Sequence, residues 1–95
     1  MPLKTDEPKE WEFSVHTPAG MVPLKVRQIN SSNINWVGWP AEGGQALLFV
    51  EFKGGGRYVY NGVSRQLAVA CAYAESTGSF FAKKIKPKYE ATKIR

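Results

Sequence analysis

The sequence predicts an α+β domain: a small antiparallel β-sheet of about five strands, with one alanine-rich helix and one short helix packed on one face. Three observations carry this. Segments that alternate apolar and polar residues, or run almost wholly apolar, fill residues 11–61 and are separated by turn formers. An alanine-rich segment of helical period follows at 65–75. The chain has 95 residues, 43% hydrophobic and 13% aromatic, which suits a single domain with a core.

Residues 1–10, "MPLKTDEPKE", have two prolines, mixed charges and no period. They read as a flexible leader before one domain at 11–95. In "WEFSV" (11–15), Trp11, Phe13 and Val15 alternate with Glu12 and Ser14, the period of a half-buried strand. "HTPAG" is a turn. In "MVPLKVRQI" (21–29), Val22, Leu24 and Val26 share a face and Lys25 and Arg27 share the other. Pro23 lacks a backbone donor, which predicts an edge strand or a bend. Residues 11–28 thus form an N-terminal hairpin.

"NSSN" (30–33) is a turn, and "INWVGW" (34–39) a short strand in which Gly38 suits a bulge. "ALLFVEFK" (46–53) is nearly continuous in apolar residues, and "RYVYN" (57–61) follows three glycines. Ser64 is a good N-cap for the helix that carries Ala68, Ala70, Ala72 and Ala74. The helix is expected to stop near Gly78. Ser79 then caps a second helix, "FFAKKI", ended by Pro87. The tail "KYEATKIR" reads equally as a strand or an ordered coil.

Tyr58 and Tyr60 pose a question of register. Leu48, Val50 and Phe52 share a wholly apolar face, which should meet the helix. An odd number of loop residues at the glycines puts both tyrosines on that face, with their rings in the core. A two-residue turn puts them beside Phe49 and Glu51, in water and free to stack on bases. Gly55 suits the left-handed position of a three-residue loop; Gly54 and Gly55 suit a two-residue turn. The odd loop is the preferred reading. Trp36 and Trp39, three apart, face opposite sides, so one is expected in the core and the other at the surface as a contact for a base or a protein.

Net charge is +5, unevenly placed. Residues 1–53 hold five Lys/Arg and six Asp/Glu; residues 54–95 hold eight and two. Most of the positive charge lies in "KKIKPKYEATKIR", which invites an anionic partner. The chemistry of sites is sparse. Cys71 is the only cysteine and His16 the only histidine, too few for a zinc site of about four ligands. Cys71 lies in an apolar stretch and reads as a small buried residue rather than a reactive thiol. "GGG" at 54–56 precedes no helix, so it is not a phosphate-cradling loop. No general acid–base pair is apparent, so neither catalysis nor a cofactor is expected. No apolar run approaches the ~20 residues of a membrane span and no signal peptide is visible, so a cytoplasmic location is expected.

From Ile29 to Tyr89 the chain resembles the KTSC domain, a small module named for its occurrence at the C-terminus of some lysyl-tRNA synthetases and found alone in bacterial and phage proteins. The residues that carry the resemblance are "SSNI" at 31–34 and Gly38 with an aromatic after it. Leu48, Val50 and Phe52 come next, then Tyr58 and Tyr60, Val63, and "STGSFF" running on to Ile85. Trp39 stands where a tyrosine is usual, Ser64 where a proline often begins the helix, and Ala82 where a polar residue is expected. Residues 29–89 are then the KTSC-like module and 11–28 an added hairpin. The resemblance implies RNA binding, through the family's company with tRNA synthetases.

Two functions are expected. The first is a basic module that binds RNA or other nucleic acid, with Lys83, Lys84, Lys86, Lys88 and Arg57 on phosphates and Trp36 or Trp39 on a base; Tyr58 and Tyr60 are further stacking candidates. The second is a stand-alone protein-interaction domain, such as a phage-encoded inhibitor of a host protein. A homodimer through an edge strand is a variant of the second.

Overall fold

The structure, a computed structural model, describes residues 9–18 and 20–94. The leader expected at 1–10 lies outside the described residues except for Lys9 and Glu10, and Glu10 already opens a strand. Six strands, not five, form one antiparallel sheet in chain order: β1 Glu10–Thr17, β2 Gly20–Gln28, β3 Ile34–Pro40, β4 Leu47–Phe52, β5 Arg57–Asn61 and β6 Ala91–Lys93. Two short helices, α1 Arg65–Ala72 and α2 Thr77–Phe80, lie between β5 and β6, and α2 runs on into a π-helical turn at Phe81–Ile85.

The tail becomes β6 because β5 would otherwise leave an open edge: Tyr58, Val59 and Tyr60 pair with Lys93, Thr92 and Ala91. Pro23 does not mark an edge. β2 pairs with β1 on one side and β3 on the other, and its ladder with β3 begins at Leu24. Pro23 needs no donor there, and its carbonyl accepts from Ala41 N–H at 2.9 Å.

The bulge in β3 falls at Asn35 rather than Gly38. Ile34 pairs with Phe52 and Trp36 with Glu51, so Asn35 is the extra residue. The extra residue reverses the alternation of the rest of the strand: Ile34, Val37 and Trp39 all reach the helix side, and Trp36 points away. Gly38 has a different reason. A Cβ there would lie 3.0 Å from both the Lys25 carbonyl oxygen and Val26 Cγ2, so β2 packs too close for a side chain.

The glycine loop is odd. Phe52 N–H donates to Gly56 O at 2.9 Å, leaving Lys53, Gly54 and Gly55 as the turn, with Gly55 at φ +96°. Val50 therefore opposes Tyr58 and Leu48 opposes Tyr60. Both tyrosines join the face carrying Leu48 and Val50: Tyr60 lies in the core cluster that also holds Phe81, Ile85, Ala68 and Cys71, and Tyr58 packs against it. Tyr60 lies edge-on to Phe81 at 5.2 Å.

The other face is also buried. Val15, Leu24, Val26, Trp36, Phe49 and Val59 form a second core that no helix covers. The sheet covers it by curling. β1 and β5 are four strand spacings apart, roughly 19 Å if the sheet were flat. Yet the Phe13 ring of β1 stands 5.4 Å from Trp36 and 5.7 Å from the Arg57 guanidinium of β5.

Ser64 caps α1 as its hydroxyl accepts from Leu67 N–H at 3.1 Å. The helix stops earlier than Gly78. Buried Thr77 turns its hydroxyl onto the Cys71 carbonyl at 2.8 Å, satisfying a group that a longer helix would have used. Ser76, not Ser79, then caps α2.

Candidate functional site

A groove of about 670 Å³ opens between the 30–33 loop and the α1–α2 junction. Two segments far apart in sequence build it. Ser31 ties the first: its hydroxyl donates to Asn33 Oδ1 at 2.9 Å and accepts from the Asn33 and Ile34 amides. The second is the Ser76 cap and Gly78. A Cβ on Gly78 would stand 3.6 Å from Ser31 Oγ, so the two segments are in ordinary van der Waals reach. Hydroxyl and amide residues, which suit sugar and phosphate oxygens, make up much of the lining, together with Arg27 and Glu75.

The helix that forms one wall carries the basic residues. Phe81 and Ile85 are buried, which turns Lys83 and Lys84 outward. Lys86 ends the π-helical turn with its N–H on Phe81 O at 2.9 Å, and Lys88 follows Pro87. All four lysines are exposed and fall within six consecutive residues. Among the described residues the ion pairs are Arg27–Glu10 and Arg57–Glu51, and neither involves this lysine stretch.

The remaining sequence candidates fall elsewhere. Arg57 does not stand free beside a glycine loop. Its Nε donates to Glu51 Oε1 at 2.8 Å, and its guanidinium lies over Trp36 at 5.4 Å. Asn35 Nδ2 donates to the other oxygen of Glu51 at 3.1 Å. Arg57 thus closes one end of the second core with its charge already matched. Trp36 and Trp39 are 5% and 6% exposed, so both are core, one on each face, and neither offers a ring to a base. The expectation of one surface tryptophan fails because the helices bury one face of β3, with Trp39, and the curled sheet buries the other, with Trp36. Tyr60 is also buried, and burial pushes its phenol above the usual range; Tyr58 is half-buried against Phe52 at 5.6 Å.

Two exposed aromatics were not among the sequence candidates. Trp11, second in β1, is 39% exposed, and Tyr73, the residue that caps the C-terminus of α1, is 51% exposed. They flank a second groove of about 590 Å³ with Lys25, Arg65 and Val69. The Arg27 guanidinium covers one face of the Tyr73 ring at 4.0 Å. The Tyr73 hydroxyl donates to Glu10, which also pairs with Arg27. The Tyr73 bond, with Arg27 beside it, holds the Glu10 carboxyl below its ordinary range; the same bond pushes the Tyr73 phenol up. This cluster fastens the N-terminal hairpin to α1. Position gave the available signal: an aromatic at the end of an element is less covered than one at its middle.

Cys71 is fully buried and its thiol is pushed up to about 12 by burial. Among the described residues, no three His, Cys, Asp or Glu side chains gather as metal ligands, and no helix is long and apolar enough to cross a membrane.

The KTSC domain family matches residues 30–89. The match spans more than half of the chain, and the protein belongs to that family. It begins after β2, so the hairpin with Glu10 and Arg27 is outside the matched region, while Tyr73 and both segments of the polar groove are inside it. No curated protein sequence matches the chain.

Proposed function

We propose that this KTSC domain is a small basic binding module, without catalytic activity, that works in the cytoplasm and holds RNA or other nucleic acid by its phosphates. One observation carries the reading: Lys83, Lys84, Lys86 and Lys88 stand exposed and without a carboxylate partner among the described residues. The hydroxyl- and amide-lined groove on the same helix supplies further contacts to sugar and phosphate. With Trp36, Trp39 and Tyr60 in the cores, base stacking has little part, and binding follows backbone charge rather than base sequence. The preference for RNA rests on the family's company with tRNA synthetases.

The test is a titration with tRNA and with a random single strand at two salt concentrations. Salt-sensitive binding to both, lost when the four lysines become alanine, supports the reading. Absence of binding at low salt, or binding indifferent to the four substitutions, overturns it.

A second reading rests on Trp11 and Tyr73. Exposed aromatics beside Lys25 and Arg65 are the usual anchors of protein contacts. On this reading the domain docks on a host protein as a phage-encoded inhibitor. Recovery of one defined host protein, lost in Trp11→Ala, favours it over the first.

A further inference from the structure

The two edges of the sheet are unlike. β6 presents three residues and ends on Lys93. β1 presents eight, without proline, glycine or lysine, and without a bulge in its register with β2. Sheet edges are ordinarily kept from pairing by shortness, lysine, proline or bulges. β6 has two of these safeguards; β1 has only the charges of Glu10, already paired with Arg27, and Glu12.

One hydrogen bond fixes which backbone groups of β1 are unused. Gln28 N–H donates to Lys9 O at 2.8 Å, so Lys9 and Gln28 form a hydrogen-bonded pair. Such pairs alternate along an antiparallel ladder. The odd residues of β1 therefore turn their amides and carbonyls to β2, and Glu12, Ser14 and His16 turn theirs outward. The side chains of these three residues are exposed, and their outward groups meet no backbone partner among the described residues.

We propose that β1 is a homodimer interface, in which a second copy of this chain adds its own β1 antiparallel to the first across a two-fold axis at Ser14. Charge selects the register. With Ser14 opposite Ser14, Glu12 of each copy stands opposite His16 of the other. Glu12 has Lys25 as its own cross-strand neighbour and His16 has Met21, so the pairing gives each His16 a carboxylate. An axis at Glu12 sets two carboxylates face to face. An axis at Phe13 sets Glu10, already held by Arg27 and Tyr73, against His16. An axis at His16 runs the ladder into Pro18. In the Ser14 register the three outward residues are all hydrogen-bonded pairs. Phe13 faces Val15 of the second copy in a non-hydrogen-bonded pair, where side chains approach most closely. The second core, which ends at half-buried Phe13, then continues across the axis.

Cysteine cross-linking tests the register. Hydrogen-bonded pairs place Cα atoms ~5.5 Å apart, inside the ~4.4–6.8 Å span of a disulfide. Ser14→Cys should cross-link to itself under mild oxidation. Glu12→Cys and His16→Cys should cross-link when the two variants are mixed and not when either is alone. Buried Cys71 stays out of the reaction. The wild-type chain should sediment as a dimer at high micromolar concentration. Ser14→Pro should sediment as a monomer with an unchanged circular dichroism spectrum, because the amide it removes points away from β2. A wild-type monomer at every concentration, a dimer that persists in Ser14→Pro, or Glu12→Cys cross-linking to itself would overturn the proposal.

Discussion

Trp36→Ala tests whether the face of the sheet without helices is a true core. The Trp36 ring is 5% exposed, meets Phe13 edge-on at 5.4 Å and lies under the Arg57 guanidinium. A buried tryptophan covers about 150–250 Å², which at about 25 cal/mol per Å² is worth about 4–6 kcal/mol. Aromatic-to-alanine changes in cores cost about 3–5 kcal/mol, so the two routes agree. Small domains hold only about 5–15 kcal/mol in total. Urea unfolding followed by circular dichroism should therefore show the midpoint displaced by about a fifth or more. The melting temperature should fall by at least ~12 °C, taking ~4 °C per kcal/mol as the lower limit. Trp11→Ala is the control: Trp11 is 39% exposed, and its loss should cost about 1 kcal/mol or less. A Trp36→Ala loss below about 1 kcal/mol, or one equal to the control, would refute the curled-sheet account of the second core.

Three further outcomes are expected. Ser64→Ala removes the hydroxyl that accepts from Leu67 N–H and should cost about 1 kcal/mol by urea unfolding, with nucleic-acid binding by the lysine surface unaffected. Gly55→Ala forces a side chain into φ +96°, so it should destabilise the β4–β5 turn by about 1 kcal/mol or more while Gly54→Ala, in open space at an ordinary φ, does not. Burial raises the ionisation of Cys71 to about 12 and also raises that of Tyr60, so the folded state favours their neutral forms. That contribution is complete below the ordinary thiol range and is lost as pH rises toward the folded values. Stability should thus decline between about pH 9 and 12, less steeply in Cys71→Ala, and the thiol should resist a disulfide reagent at pH 8 unless the chain is unfolded.

Much of the helix side was legible because its signals are local. The alternation of Leu48, Val50 and Phe52 defined the face; Gly55 suited either turn, and the preferred odd loop is the one that brings Tyr58 and Tyr60 onto that face. The same register has a consequence for charge that the spacing alone did not reveal: with Val50 opposite Tyr58, Glu51 must oppose Arg57, and the two form an ion pair. The second core had a signal as well. "ALLFV" and "INWVGW" are apolar on both faces, the pattern of strands buried on both sides. What covers the second face was not legible, because curl depends on contacts such as Phe13 with Trp36 across several strands. The early end of α1 depends in the same way on Thr77 reaching back to Cys71. β6 has no alternation of its own and forms because β5 offers it an edge. The exposure of Lys83, Lys84, Lys86 and Lys88 was readable from charge and from the inward pair Phe81 and Ile85.

The slope of log binding constant against log salt is the most direct measurement of the phosphate-binding role. Each phosphate engaged on a single strand contributes about −0.7 to that slope, so four lysines in contact contribute about −3. Wild-type protein on a random single-stranded RNA should show a slope steeper by about 3 than the variant with alanine at 83, 84, 86 and 88. Equal slopes for the two proteins would contradict it.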